Sequence, residues 1–431
     1  MRCALISCLL ALVVLSHAWA YEYPFKDPYT ATVMGTLPRD QYPLASVRSA
    51  DIGDLIPLRN LGAIRDREFL IHDRPVPTIF WYDDTLQYSV AQQRGPAPLL
   101  FIIAGTGSSY ESANCRFLQK IFFRAGFHVV TMSSPTYPNF VVSASTTQVP
   151  GYIPHDVADL YQSMDAIANQ IGRNRITAVH LTGYSLGGTQ AAFLAELDTR
   201  EKRFGFGKVL LLNPAVSLMD SAMRLDRLLA DNVTDRADAA RKVAALVGEL
   251  SAAYRDSNAV NFGDDFLFAL HGGTSLSQTE LKLLIGVAFR LSLASMVFAS
   301  DTCTGAGYIV PRGHHIEKNE SLSPYLDASV GVSFEDYIKE YLLPFLTYQD
   351  SSMTFEKAVA ACSLAAIAPF LRAAGNVAVM TNADDLILDQ ADFNFLSATF
   401  GSRLTLYPVG GHCGNLRYRD NVAAMLEFFR P

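Results

Sequence analysis

Residues 176–192 read ITAVHLTGYSLGGTQAA and contain the pattern Gly-x-Ser-x-Gly at Gly183, Ser185 and Gly187. The apolar run before Gly183 is typical of a buried strand, and the small residues after Ser185 are typical of a helix that begins at once. A sharp turn between these elements holds the serine at its apex, at the carboxyl end of a sheet, beside the Leu186 N–H at a helix N-terminus. We therefore predict that Ser185 is a nucleophile. The alternative is a strand-to-helix turn with a purely structural role.

Apolar runs alternate with helical spacing on both sides of this turn. The runs that predict strands are residues 98–104, 127–132, 176–182, 208–212, 376–381 and 403–407. Such repetition predicts a right-handed, doubly wound, mostly parallel sheet with helices on both faces. Between residues 219 and 374 the alternation stops and the sequence is mainly helical. The predicted fold class is therefore α/β, with a large helical cap inserted between two late strands.

The chain divides into five predicted parts. Arg2, the apolar run 4–15 and the small residues 18–20 indicate a secretory signal peptide rather than a buried N-terminal helix. The parts are a signal peptide at 1–20, an extended N-terminal arm at 21–54, the α/β core at 55–218 and 375–431, and the cap at 219–374. Within the core, residues 78–82 and 86–90 predict antiparallel strands at a sheet edge. Cleavage between Ala20 and Tyr21 would leave a secreted or periplasmic protein with no transmembrane anchor.

The composition excludes several classes of protein. Of the 431 residues, 50% are hydrophobic and 18% are charged, which excludes intrinsic disorder. A net charge of −7 argues against nucleic acid as a partner, because that binding needs clustered lysine and arginine. Residues 281–299 are apolar enough to suggest a membrane span, but Arg290 stands in their middle, so we predict a buried cap helix rather than a lipid-facing one.

A serine nucleophile needs a base, and His412 is the candidate. It stands in Gly410-Gly411-His412-Cys413-Gly414, between the last predicted strand and the last predicted helix, where glycines allow a tight loop over the edge of the sheet. The other histidines fall in the signal peptide, at predicted surface positions, within strands or in the cap. A carboxylate should orient the base, and either Asp384 or Asp385 could serve, because both directly follow a predicted strand. We favour Asp385.

A second cluster of backbone amides is predicted in the turn after the first core strand. Residues 104–109, Ala-Gly-Thr-Gly-Ser-Ser, are rich in glycine and lie close to the sheet. The Thr106 N–H, together with the Leu186 N–H, is the predicted oxyanion hole. A glycine-rich turn can also bind phosphate, but neither GxGxxG nor GxxxxGK[ST] is present. No metal spacing of cysteine and histidine occurs either, and we expect no cofactor.

Taken in order, these four motifs resemble the α/β-hydrolase superfamily, and most of all its YheT-like branch of esterases. The resemblance covers residues 76–218 and 375–431, and it leaves out the arm and the cap. It departs from the family where members often have His-Gly in the oxyanion turn and this chain has Ala104-Gly105. It implies a metal-independent serine hydrolase that acts on carboxylic esters.

Four cysteines remain after signal cleavage, and an even number outside the cytoplasm predicts two disulfides. The predicted pairs are Cys115 with Cys413, beside the site, and Cys303 with Cys362, in the cap. Buried free thiols are the alternative.

The expected substrate is a small-molecule or lipid-like ester with a hydrophobic acyl or aryl group, because the cap is rich in aromatic residues. The aromatic residues in question are Phe266, Phe268, Phe289 and Phe298. Two other functions stay open at this point. One is a serine peptidase or amidase on the same scaffold, and the other is a binding protein without catalytic activity.

Overall fold

The computed structural model describes residues 21–44, 64–239, 241–245 and 276–430. The predicted signal peptide at 1–20 lies outside the described residues, as do Phe266 and Phe268 of the cap.

One sheet organises the described part of the chain. Its strands are β1 Ile64–Phe69, β2 Leu86–Ala91, β3 Ala97–Ile103, β4 His128–Met132, β5 Ile176–Tyr184, β6 Val209–Leu212, β7 Val377–Asn382 and β8 Leu404–Tyr407. They lie in the order β1-β2-β4-β3-β5-β6-β7-β8. Only the pairs β1–β2 and β2–β4 are antiparallel, and the other pairs are parallel. The predicted α/β class with a mostly parallel sheet is confirmed.

Both faces of the sheet are buried, which explains the unbroken apolar runs of its strands. In β3, Leu99 and Phe101 pack into the core on one face, and Leu100 and Ile102 pack into the core on the other. Side chains that alternate across a strand need two apolar layers when helices cover both sides. The helices are α1 Pro28–Met34, α2 Ala113–Arg124, α3 Pro138–Ser143, α4 Ile153–Ile171, α5 Leu186–Glu201, α6 Leu218–Ala230, α7 Gln278–Thr304, α8 Ser323–Gly331, α9 Phe334–Asp336, α10 Leu343–Gln349, α11 Phe355–Ala361, α12 Ala368–Ala373, α13 Gln390–Phe400 and α14 Arg419–Phe429.

The chain between β6 and β7 contains the described helices of the cap, and α7 is the longest of them. A capping box of Ser277 and Glu280 begins α7, and Gly305, with φ +63°, ends it. The helix is long and apolar enough to cross a membrane, yet two thirds of its most apolar stretch is buried within the protein. Arg290 is buried and donates two hydrogen bonds to Asp226 of α6, at 2.6 and 2.9 Å. The guanidinium therefore holds α7 against α6.

Two segments differ from their sequence predictions. The arm predicted as extended contains the helix α1, which Asp27 caps through the Thr30 N–H. Residues 78–80 form a single turn of 3-10 helix instead of an edge strand, because Phe80 packs into a cluster with Phe298 of the cap. The neighbouring prediction at residues 86–90 is β2, which pairs antiparallel as expected.

Candidate active site

The turn at Ser185 has the sharp geometry that the sequence predicts. Ser185 has φ +55° and ψ −126°, a backbone conformation that residues other than glycine rarely adopt. A Cβ on Gly183 would lie 2.3 Å from the carbonyl oxygen of Gly187, and a Cβ on Gly187 would lie 2.3 Å from the carbonyl oxygen of Ile103. Both glycines are therefore required for the close approach of α5 to the sheet, and Ser185 is held at the apex between them.

The structure brings Ser185, His412 and Asp385 into one chain of hydrogen bonds. The Ser185 hydroxyl lies 2.8 Å from Nε2 of His412, and Nδ1 of His412 lies 2.9 Å from Oδ1 of Asp385. This geometry assigns the ring proton to Nδ1, which donates to the carboxylate and leaves Nε2 free to accept from the serine. Ser185 lies in the turn between β5 and α5, and Asp385 and His412 lie in the loops after β7 and β8, all at the carboxyl end of the sheet.

The two adjacent carboxylates have different surroundings. Asp385 has no exposed side-chain area, and its Oδ2 accepts a hydrogen bond from Nδ2 of Asn213 at 2.9 Å. Asp384 instead accepts from the backbone N–H groups of Gly410 and Gly411, at 3.2 and 2.9 Å, and burial raises its pKa. Asp385 is thus the carboxylate that touches His412, and Asp384 anchors the loop that carries it.

Charge keeps the imidazole of His412 basic. Burial by itself lowers the pKa of this ring, but the Asp385 carboxylate and the hydrogen bond to it outweigh burial, and the pKa lies well above its ordinary value. The neighbouring Cys413 acts in the same direction, with its Sγ 3.8 Å from Nε2. A positive charge on this ring is therefore stabilised by the Asp385 carboxylate.

The predicted oxyanion turn lies directly beside the serine. A Cβ on Gly105 would lie 3.1 Å from Cβ of Ser185, so the turn and the nucleophile are in contact. The Gly107 N–H donates to Oγ1 of Thr136 at 2.8 Å and fixes the turn. Within the described residues, the N–H groups of Thr106 and Leu186 donate no hydrogen bond. Both amides are therefore free to bind an oxygen atom.

A small apolar pocket is lined by Thr106 and Leu186, the residues whose amides are unpaired within the described part of the chain. Its walls come from the core and from the cap: Thr106, Thr136, Gly151, Leu186, Leu218, Ala222, Phe289, Ser292, Leu293, Met296, Phe334 and Tyr337. Phe289 lines it as predicted, whereas Phe298 packs elsewhere, against Phe80. The helix α7 covers the oxyanion turn closely, because a Cβ on Gly107 would lie 2.5 Å from Cβ of Ser292.

The predicted disulfides are absent, and all four cysteines of the described chain are free thiols. Cys115 is buried under the sheet with its Sγ 3.8 Å from the Tyr184 hydroxyl, while Cys413 faces His412 instead. Cys362 is buried near the backbone of Gly151, so it does not meet Cys303. An even number of cysteines does not show which cysteine side chains lie close together, which is why this prediction was wrong. Among the described residues, no group of three metal-ligating side chains occurs.

Sequence reasoning missed two residues that hold the site together. Asn213 follows β6 and orients Asp385, and Thr32 of α1 contacts the backbone of His412. Asn213 has φ +46°, and no motif in the sequence marks it. The position of Asn213 directly after a predicted strand is the one sequence signal that could have suggested it. No sequence signal points to Thr32.

The strand order, the antiparallel β2 and the strained serine turn between β5 and α5 define the α/β-hydrolase fold. No protein-family model and no curated protein matches the chain. Among solved structures, it is similar to a membrane phospholipase A described as a bacterial virulence factor, with 15% identity over 99% of this chain and 98% of that one, at a TM-score of 0.40. It is also similar to a 2-hydroxy-6-oxo-6-phenylhexa-2,4-dienoate hydrolase from a Rhodococcus species, with 15% identity over 85% and 99% of the two chains, at 0.44. A putative lipase from Acinetobacter baumannii has 16% identity over 86% and 93%, at 0.40.

Proposed function

We propose that this protein is a serine hydrolase that cleaves carboxylic esters through an acyl-enzyme. The observation that carries the proposal is the chain of hydrogen bonds from Ser185 through His412 to Asp385, with the serine at a strained apex. A serine hydroxyl becomes a useful nucleophile only beside an oriented base, and a structural turn would need neither the base nor the carboxylate.

The proposed reaction runs in two halves. Oγ of Ser185 attacks the acyl carbonyl and gives its proton to Nε2 of His412, while the Thr106 and Leu186 amides stabilise the oxyanion. The C–O bond to the leaving group then breaks, and His412 returns the proton to the departing alcohol. Water next gives a proton to His412 and attacks the acyl carbon. The Ser185 oxygen leaves with that proton, and a carboxylic acid is released. Asp385 stabilises the imidazolium in both halves.

The pocket supports a hydrophobic acyl or aryl group. It is lined by Thr106 and Leu186, and leucine, phenylalanine and methionine make up much of its wall. We propose that the acyl chain of an ester whose carbonyl lies in the oxyanion hole occupies this pocket. Widening the pocket with Leu293→Ala should favour longer acyl chains, and narrowing it with Ala222→Leu should favour shorter ones. Equal activity of both variants across p-nitrophenyl esters of graded length would contradict this assignment.

A fluorophosphonate probe tests the activated serine. We expect the wild type to be labelled and to hydrolyse p-nitrophenyl esters, and Ser185→Ala to do neither. Ser109→Ala, in the neighbouring turn, is the matched control and should keep both properties. Acyl amides measured alongside distinguish an esterase from a peptidase or amidase, because the same mechanism serves both. A folded wild type without labelling would refute the proposal and favour a binding protein.

The finer assignments are proposals on sequence alone. The YheT-like branch rests on the four motifs, and export to the periplasm or medium rests on the apolar run 4–15 and the small residues before Tyr21. N-terminal sequencing of the protein made in a bacterial host should find Tyr21 first in the exported fraction. A protein that starts at Met1 in the cytoplasm would contradict export.

A further inference from the structure

The loop that carries His412 contains one residue with a strained backbone. Gly410, Gly411 and Cys413 have φ values of +150°, +55° and +63°. Glycine adopts positive φ without strain, but a residue such as Cys413 does so only where the surrounding structure fixes it. Asp384 fixes one side of the loop through the Gly410 and Gly411 N–H groups. The other side of the loop lies against the N-terminal arm.

The arm contacts the backbone of His412 directly. The His412 N–H donates to Oγ1 of Thr32 at 2.9 Å, and that hydroxyl donates to the carbonyl of Pro28 at 2.7 Å. Because the Thr32 proton points to the Pro28 carbonyl, a lone pair of the threonine oxygen is left to accept the His412 N–H. Four residues further on, the Thr36 hydroxyl donates to the carbonyl of Gly414 at 2.8 Å and is buried.

The loop is shaped to receive α1. A Cβ on Gly411 would lie 2.3 Å from the carbonyl oxygen of Pro28, and a Cβ on Gly414 would lie 2.1 Å from the carbonyl oxygen of Ala31. Both obstacles are backbone atoms, which no rotation of a side chain can remove. Two glycines of the loop are thus explained by the close approach of the arm.

The arm is itself held from two directions. The Tyr21 hydroxyl accepts from Nδ2 of Asn415 at 2.7 Å, and the Tyr21 ring packs among those of Tyr23, Tyr407 and Tyr418. On its other side, α1 meets the cap. Nε2 of Gln278 donates to Asp27 at 3.1 Å, and Lys282 lies over the ring of Tyr29. These contacts keep Thr32 in place under the loop.

We propose that Thr32 is a positioning residue for the catalytic base. Through α1, the N-terminal arm fixes the position of the His412 backbone and thereby the distance from Nε2 of His412 to the Ser185 hydroxyl. This inference rests on the proposed function for its effect on turnover, but the contact itself does not. A small displacement of a catalytic group is enough to slow a reaction strongly.

Three variants test the inference. Thr32→Val keeps the shape and removes the acceptor, so kcat for a p-nitrophenyl ester should fall about tenfold or more while KM changes less than about twofold. Thr32→Ser keeps the hydroxyl and should restore kcat. Thr30→Val, on the same helix, removes a hydroxyl that bonds only to Asp27 and should behave like the wild type.

A second measurement does not depend on turnover. Hydrogen–deuterium exchange of the loop at residues 408–416 should be faster in Thr32→Val than in the wild type, and unchanged in Thr30→Val. An inactive wild type would refute the proposed function, and the exchange result would still decide the contact. Unchanged kcat and exchange in Thr32→Val would overturn the inference. Equal losses in the valine and serine variants, or in Thr30→Val, would also overturn it.

Discussion

Replacing Asp385 by asparagine removes the charge next to His412 and keeps the shape of the side chain. In the proposed reaction His412 becomes an imidazolium, and its Nδ1 lies 2.9 Å from Oδ1 of Asp385. At that distance, with an effective dielectric constant of about 20, the attraction amounts to about 6 kcal/mol. Since each 1.36 kcal/mol is a factor of ten in rate, kcat/KM should fall by about four orders of magnitude.

The neighbouring carboxylate supplies the matched control. Asp384→Asn removes the same charge one residue away, but this side chain contacts two backbone N–H groups and not the imidazole. Its amide can keep one of those hydrogen bonds, so kcat/KM should fall by no more than about tenfold. The assay is hydrolysis of a p-nitrophenyl ester by both variants, with the free energy of unfolding measured in urea to show that each is folded.

The outcome of this pair decides which carboxylate orients the base. A large loss in Asp384→Asn with nearly normal activity in Asp385→Asn would refute the assignment. Equal small losses would show that neither carboxylate stabilises the imidazolium. Either result would refute the argument that the Asp385 charge stabilises the His412 imidazolium, whether or not Ser185 proves to be the nucleophile.

Three further predictions concern the turn, the cap and pH. Gly187→Ala should destabilise the fold by more than about 3 kcal/mol in urea, because its Cβ would meet a backbone oxygen at 2.3 Å, whereas Gly95→Ala, with no atom within 4 Å, should be nearly neutral. Asp226→Ala leaves Arg290 buried and unpaired and should cost about 3–5 kcal/mol, much of which Arg290→Met should restore in the double variant. Burial lowers the pKa of His412, but its carboxylate partner raises the pKa by more than burial lowers it. Because protonation of the ring at low pH removes the base, kcat/KM should fall on acidification with a midpoint above about 6.5. The stability from that ion pair has the opposite dependence: it is present below about 6.5 and lost as pH rises through the raised pKa, which urea unfolding at several pH values would show.

Much of the sheet was predictable because its strands are buried on both faces. The apolar runs at 98–104, 176–182 and 376–381 coincide with β3, β5 and β7 to within two residues at either end. Residues 78–82 show where composition fails. Aromatic and β-branched residues there are typical of a strand, but packing of Phe80 against the cap decides the local conformation.

The candidate site divides in the same way. Ser185, His412 and the turn at Thr106 each follow a strand, so topology alone brings them to one edge of the sheet. The choice between Asp384 and Asp385 depends on which carboxylate faces the ring, and spacing cannot supply that direction. Thr32 could not be found at all, because 380 residues separate it from His412 and no local pattern links the two.

The proposed nucleophile and the proposed base are supported by different parts of the structure, and this difference determines which mutations should affect turnover. Ser185 sits on the sheet itself, where its N–H donates to the carbonyl of Leu212 at 2.9 Å and the turn is fixed by parallel strands. His412 sits on a loop that is held by a few side chains, among them Asp384, Asn382 and Thr32. Loops held by a few side chains open at a lower free-energy cost than strands in a core. Substitutions beneath the histidine loop should therefore lower kcat while leaving KM and the fold intact, whereas substitutions beneath the serine turn should unfold the protein before they reveal any effect on turnover.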